Sequence, residues 1–268
     1  MKGKNMNPTI HRPLSIRPAS RLTILLTSLV VALFGAAASR ADPDLPAILK
    51  RIDTVTNFTT DFTGVYTAYV ESPGESPLTM QARMFRRDAE GKFVILVSAP
   101  SAQKGQGYLE VDNNLWFYDP TSRLFTHSSL KENWQSSDAM NSDFYRTNYA
   151  RDYSVESWKE DTLGMHAVYV LELKGNNAEV TYPWKRIWVR KDTGLILKSE
   201  DYSLSKWLMR SAYYPTYTQI GNQFVATKML FVDELNKGHK TQLTLAEPST
   251  QPVPNTTFTK AYIESMSR

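Results

Sequence analysis

The spacing of apolar residues changes along this chain, and each change predicts a different element. Residues 22–34 (LTILLTSLVVALF) form an almost unbroken apolar run. Over residues 42–57, Leu45, Ile48, Leu49, Ile52 and Val55 recur at helical spacing and give one apolar stripe. Asp44 is placed to cap that helix, and Pro46 is tolerated in its first turn. From Phe58 the period becomes two. Phe58, Thr60, Phe62, Gly64 and Tyr66 share one face of a long strand. Leu78, Met80, Ala82 and Met84 do the same over residues 78–87, and residues 93–97 (FVILV) are apolar on both faces, as in a strand covered on both sides.

Residues 108–111 and 115–118 flank Asp112-Asn113-Asn114, a hairpin signal, and Asp119-Pro120 turns into residues 123–126. Residues 131–152 are polar, aromatic and irregular, which predicts a loop with a short helix near residues 142–150. Strand-like sequence then resumes over about 153–161, 166–174, 184–191, 195–203, 207–218, 223–235 and 239–246. The connections are mostly short, marked by Gly164, Asn176, Gly194, Gly221 and Gly238, so neighbours are antiparallel. A proline-rich connector (residues 248–254) leads to a terminal helix over residues 255–266, with Phe258, Ala261 and Tyr262 on one side. The expected fold is mainly β: a strongly curved antiparallel sheet of about eleven strands, a half-open barrel with helices over its concave face. No compositional break divides residues 42–268, which predicts one domain.

The amino-terminal segment changes the charge picture. Residues 1–21 carry Lys2, Lys4, Arg12, Arg17 and Arg21 and no acid, the apolar run follows, and small residues lead to Ala38 and Ala41. That order is a secretory signal peptide, with cleavage after Ala41 or Ala38. The run is shorter than the roughly 20 residues of a spanning helix. The whole chain has 31 Lys+Arg against 27 Asp+Glu; six of those bases lie in residues 1–41, leaving 25 against 27 in the exported part. The basic balance belongs to the discarded peptide, so it does not point to nucleic acid. The prediction is an exported protein.

The chain has no cysteine, which excludes disulfides, thiol chemistry and a lipid anchor on a cysteine. His127, His166 and His239 lack metal-ligand spacing, and no metal or cofactor is expected. Residues 74–78 (GESPL) lack the second glycine of a nucleophile elbow, and Gly105-Gln106-Gly107 precedes a strand rather than a phosphate-binding helix. Glu200 and Asp201 point to opposite faces of their strand. These readings favour binding over catalysis; a hydrolase would need carboxylates brought together from distant strands. Thirty of the 227 residues after Ala41 are aromatic, enough to line an apolar cavity on the inner sheet face. The candidates are Phe62, Tyr66, Met84, Phe93, Ile95, Trp116, Tyr118, Trp188, Trp207 and Tyr213.

Residues 49–58 (LKRIDTVTNF) with Asp61-Phe62-Thr63, and residues 83–120 with Arg86-Arg87 and the hexapeptide LWFYDP at 115–120, resemble the LolA-like family of periplasmic lipoprotein carriers. Residues 141–144 (NSDF), Ile187-Trp188-Val189 and the strands over 195–235 resemble a longer branch of that superfamily. The resemblance implies an unclosed antiparallel barrel with a helical lid over an apolar cavity. It implies a monomeric carrier that takes lipoprotein acyl chains, or other lipids, from an inner-membrane transporter and passes them to an outer-membrane acceptor, touching membranes only transiently. It further implies lid contacts at Ile48 and Ile52 and a lid-holding arginine at Arg86 or Arg87. A same-fold sensor or adaptor for a membrane protein, or a lipid-export accessory, fits the same sequence.

Overall fold

The computed structural model describes residues 42–267; the basic and apolar amino-terminal segment and both cleavage positions lie outside them. The chain opens with helix α1 (Leu45–Thr56), where the Asp44 side chain accepts a hydrogen bond from the Ala47 amide at 3.0 Å. Six strands follow: β1 (Asp61–Glu71), β2 (Leu78–Arg87), β3 (Lys92–Ala99), β4 (Gly107–Val111), β5 (Asn114–Asp119) and β6 (Leu124–Ser128). A crossing segment with a short turn of 3₁₀ helix (Asn141–Phe144) and helix α2 (Tyr149–Asp152) leads to seven more. These are β7 (Tyr153–Leu163), β8 (His166–Gly175), β9 (Trp184–Arg190), β10 (Ile196–Tyr202), β11 (Leu208–Ile220), β12 (Gln223–Asp233) and β13 (Lys240–Ser249). Helix α3 (Lys260–Met266) closes the described chain.

All thirteen strands belong to one antiparallel sheet, two more than the approximate count expected from sequence. Both edge strands fall on spans already read from sequence, β6 on residues 123–126 and β7 on residues 153–161, although β6 is short and β7 is mostly exposed. The order is β6-β5-β4-β3-β2-β1-β13-β12-β11-β10-β9-β8-β7. Each strand neighbours its sequence neighbour, with one exception: β1 pairs with β13, from Thr63↔Ser249 to Glu71↔Lys240. The two free edges, β6 and β7, are therefore consecutive in sequence. The segment joining them has to pass from one sheet edge to the other, and it does so across the inner face. Among the described residues the sheet does not close on itself, and its twist curls it around what lies inside.

Period-two alternation sorts the strand side chains. Phe62, Tyr66 and Ala68 of β1, Met80 and Met84 of β2, and Phe93 and Ile95 of β3 form the largest inner cluster, packed against Trp134 and Phe144 of the crossing segment. A second inner cluster joins Leu49 and Ile52 of α1 to Leu171, Leu173, Ile187, Val189 and Ile196. Each fully buried side chain of this size contributes roughly 1.5–3 kcal/mol.

On the outer face, Val94, Leu109 and Tyr118 pack against Val253, Phe258 and Ile263 of the carboxy-terminal segment. Gly107 makes this close approach feasible: a Cβ there would sit 2.6 Å from Ile263 Cγ2. The expected apolar side of the last helix is thus shifted, because Ala261 is exposed and Ile263 is buried. α3 covers the outer face, whereas α1 and the crossing segment cover the inner one.

Candidate ligand-binding cavity

A cavity of about 700 Å³ lies between the inner sheet face, α1 and the crossing segment. This is within the range of small-molecule sites. Its buried lining includes Ile52, Tyr66, Leu115, Ile196, Val225 and Met229, while its exposed lining carries Lys131, Arg151 and Glu179. Tyr149 from α2 and Tyr214 and Tyr217 from β11 add aromatic surface. Tyr217 donates its hydroxyl to the Ile196 carbonyl at 2.7 Å. Burial pushes the Tyr66 hydroxyl up to about 12 and holds Tyr149 well above the ordinary tyrosine range, so both are neutral walls at ordinary pH.

α1 and the crossing segment are tied into one cover. The Asn57 side chain donates to the Thr147 carbonyl and accepts from the Thr147 amide, both at 2.8 Å. Asp53 accepts the amides of Tyr149 and Ala150 at 2.8 and 3.0 Å, capping α2. Burial raises the Asp53 carboxyl, and those amides oppose the rise. Arg51 donates to the carbonyls of Lys191 and Asp192, which pins the outer side of α1 to the β9–β10 turn.

Two buried ion clusters hold this cover to the sheet. In the first, Arg86 grips Asp88 with two bonds of 2.9 and 2.6 Å. Asp88 in turn accepts the Phe58 amide at 2.8 Å, just beyond α1, and its carbonyl accepts from Arg146 at 2.7 Å. In the second, Arg210 on β11 donates to Asp143 of the crossing segment at 2.6 and 3.1 Å and to Asp201 on β10 at 2.9 Å. Lys185 also pairs with Asp201. Burial pushes the Asp201 carboxyl up, but Lys185 and Arg210 outweigh it and hold it below the ordinary carboxylate range.

The structure distributes the sequence-predicted positions unevenly. Tyr66 lines the cavity, and Phe62, Met84, Phe93 and Ile95 are buried in the inner cluster beside it. Trp116 and Tyr118 are a correction: odd and even positions of β5 face opposite ways, and these two lie on the outer face, with Lys260 of α3 3.2 Å from the Trp116 ring centroid. Trp188 and Tyr213 also face outward, both under Lys198 at 4.4 and 5.5 Å. Trp207 sits just before β11 and is 70% exposed. These five do not line the cavity. Ile52 is buried under α1 and lines the cavity, and Ile48 packs at the edge of the same cluster. The two adjacent arginines split: Arg86 faces the cavity, whereas Arg87 binds Asp61, the Val253 carbonyl and Asn255 beside the carboxy-terminal segment.

This architecture has close counterparts among solved structures. A LolA superfamily protein from Nitrosomonas europaea aligns with a TM-score of 0.72 at 22% identity, over 82% of this chain and 100% of that one. A putative outer membrane lipoprotein-sorting protein domain from Vibrio parahaemolyticus aligns at 0.74 and 17% identity, over 82% and 97%. The fold is LolA-like. A DUF1329 family protein from Desulfovibrio piger shares the LolA-like fold at a TM-score of 0.72 and 20% identity, over 81% of this chain and 97% of that one. A family model described as "Uncharacterized protein" matches residues 89–265, more than half of the chain, and the chain belongs to that family. No curated protein matches the sequence significantly.

Within this LolA-like sheet, sequence reasoning missed several residues that shape the site. Trp134 is fully buried although its surroundings read as a polar loop. Asp143, Asp201 and Arg210 meet from three separate elements, and no local spacing announces that. Glu110 was missed as well: it shares a strand face with Tyr108, but that this face is the inner one is visible only in the structure.

Proposed function

We propose that the protein is a soluble periplasmic carrier that binds the acyl chains of lipoproteins, or other lipids, in the inner cavity and moves them from the inner towards the outer membrane. In this reading the segment up to Ala41 or Ala38 is a signal peptide that is removed, and residues 42–268 act as one lipid-binding domain. The observation that carries the proposal is the cavity of about 700 Å³ beneath α1 and the crossing segment, with buried apolar side chains and neutral tyrosines inside and exposed charges at its margin. Burial of an acyl chain stabilises a complex by roughly 0.8 kcal/mol per CH₂, so uptake and release need no covalent chemistry. They need only that the cover moves, and α1 and the crossing segment are bonded so that they would move together.

Arg86 is the better placed of the two arginines to hold the cover, since Asp88 links it to the end of α1 and to Arg146. Partners of this carrier are an inner-membrane transporter that loads it and an outer-membrane acceptor that unloads it. The test is to purify residues 42–268 from the periplasm, extract them with organic solvent and identify the extract by mass spectrometry. Lipid in stoichiometric amount supports the carrier. A protein that arrives empty and takes up no apolar fluorophore contradicts it.

A further inference from the structure

Among the described residues, one fully buried charged side chain of the cavity lining has no counter-charge; Lys131, Arg146 and Glu179 of the same lining also lack an ion pair but are more exposed. Glu110 lies on β4, is only 3% exposed and lines the cavity. The other ionised groups of the lining with buried side chains are matched: Arg86 by Asp88, Lys185 by Asp201, and Arg210 by Asp143 and Asp201. The more exposed Arg151 is matched by Asp152. Glu110 has no ion pair and no hydrogen bond among the described residues. Its strand partners are Phe93 on β3 and Leu115 on β5, both apolar. Tyr145 of the crossing segment is the titratable neighbour within electrostatic reach. A buried carboxylate in this state is costly to keep, and a ligand that supplied a cation would remove the cost.

We propose that Glu110 is the polar anchor of the cavity and receives the ammonium group of an amphiphile whose alkyl part lies along the inner sheet face. The inference rests on the carrier reading and narrows it to cargo bearing an amine. Burial pushes the Glu110 carboxyl up to about 7, in keeping with a carboxylate that lacks a partner until one is bound. A cationic head pairs with Glu110 without disturbing the two ion clusters that fasten the cover. An anionic head meets the same carboxylate as a repulsion. An uncharged alcohol can hydrogen-bond to it but brings no charge.

The experiment uses the exported chain loaded with N-phenyl-naphthylamine as a neutral apolar fluorophore, displaced by decylamine, decanol or decanoate at about pH 8, where the free amine is protonated and carboxylates are ionised. The readout is the ratio of amine to alcohol affinity within each protein, which cancels any general change in the cavity. Wild type is expected to prefer decylamine over decanol by about tenfold or more, and decanoate is expected to bind worst. In Glu110→Gln, which keeps the shape and removes the charge, the ratio falls towards one. Wild type that binds all three alike overturns the proposal, and so does a Glu110→Gln protein that keeps the preference. A protein that never binds the fluorophore fails at the earlier step, as a carrier of apolar ligands.

Discussion

Arg210 offers the sharpest test of how the cover is held. It is 5% exposed and joins Asp143 on the crossing segment to Asp201 on the sheet. Replacing it by methionine keeps much of the volume and removes the charge. Asp201, at 0% exposure, then keeps Lys185 alone, and Asp143 loses its guanidinium partner. Removing one partner of a buried ion pair costs about 3–5 kcal/mol. Lys185 remains, so Arg210→Met should fall at the lower end, near 3 kcal/mol. For a domain of this size that lowers Tm by about 6–12 °C. Urea unfolding followed by tryptophan fluorescence measures the loss, and the double variant with Asp143→Asn separates the Asp143 pair from the Asp201 pair. Hydrogen exchange should rise first over residues 129–148. A loss under about 1 kcal/mol, or unchanged exchange across that segment, would refute the view that Arg210 fastens the cover. The sign with pH follows from Asp201: its lowered folded pKa gives stability that is present above the ordinary aspartate range and lost as pH falls through the lowered value.

Other expectations concern the cover and the anchor. Trp134 is fully buried, so Trp134→Ala should cost about 3–5 kcal/mol in urea unfolding. Its indole nitrogen has no hydrogen-bond partner among the described residues, so Trp134→Phe should cost distinctly less; equal losses would contradict this packing. Glu110 has a folded pKa raised to about 7, so the folded protein holds that proton more tightly than the unfolded chain. Its contribution is full below the ordinary glutamate range and fades as pH rises through about 7, and Glu110→Gln should flatten that part of the stability profile; a slope identical to wild type would count against a desolvated Glu110.

How much of this was legible in the sequence depends on the range of the interaction. Local patterns were. Leu49 and Ile52 on the α1 stripe, the Asp44 cap, and the alternation that puts Phe62, Tyr66 and Met84 on one face all follow from chain periodicity. The choice of face was not. Trp116 and Tyr118 have the same spacing as inner residues, but which set faces the cavity depends on register with β4 and on where α3 docks. Trp188 and Tyr213 failed for the same reason, with Lys198 covering them outside. The crossing segment was the largest gap. Its form is set by the need to join two edges of one sheet, and that need appears only once β1 is paired with β13. The split between Arg86 and Arg87 is simple alternation, yet the partners that give each its role are Asp88 and Asp61 from different faces.

The central claim is that lipid enters the space beneath α1 and the crossing segment. It is tested most directly by placing a photo-crosslinking phenylalanine analogue at Tyr66, which lines that space, and at Trp207, which is exposed outside it. After irradiation of living cells, the account predicts an acylated adduct at position 66 and none at position 207. An adduct at neither position, or only at 207, would contradict it.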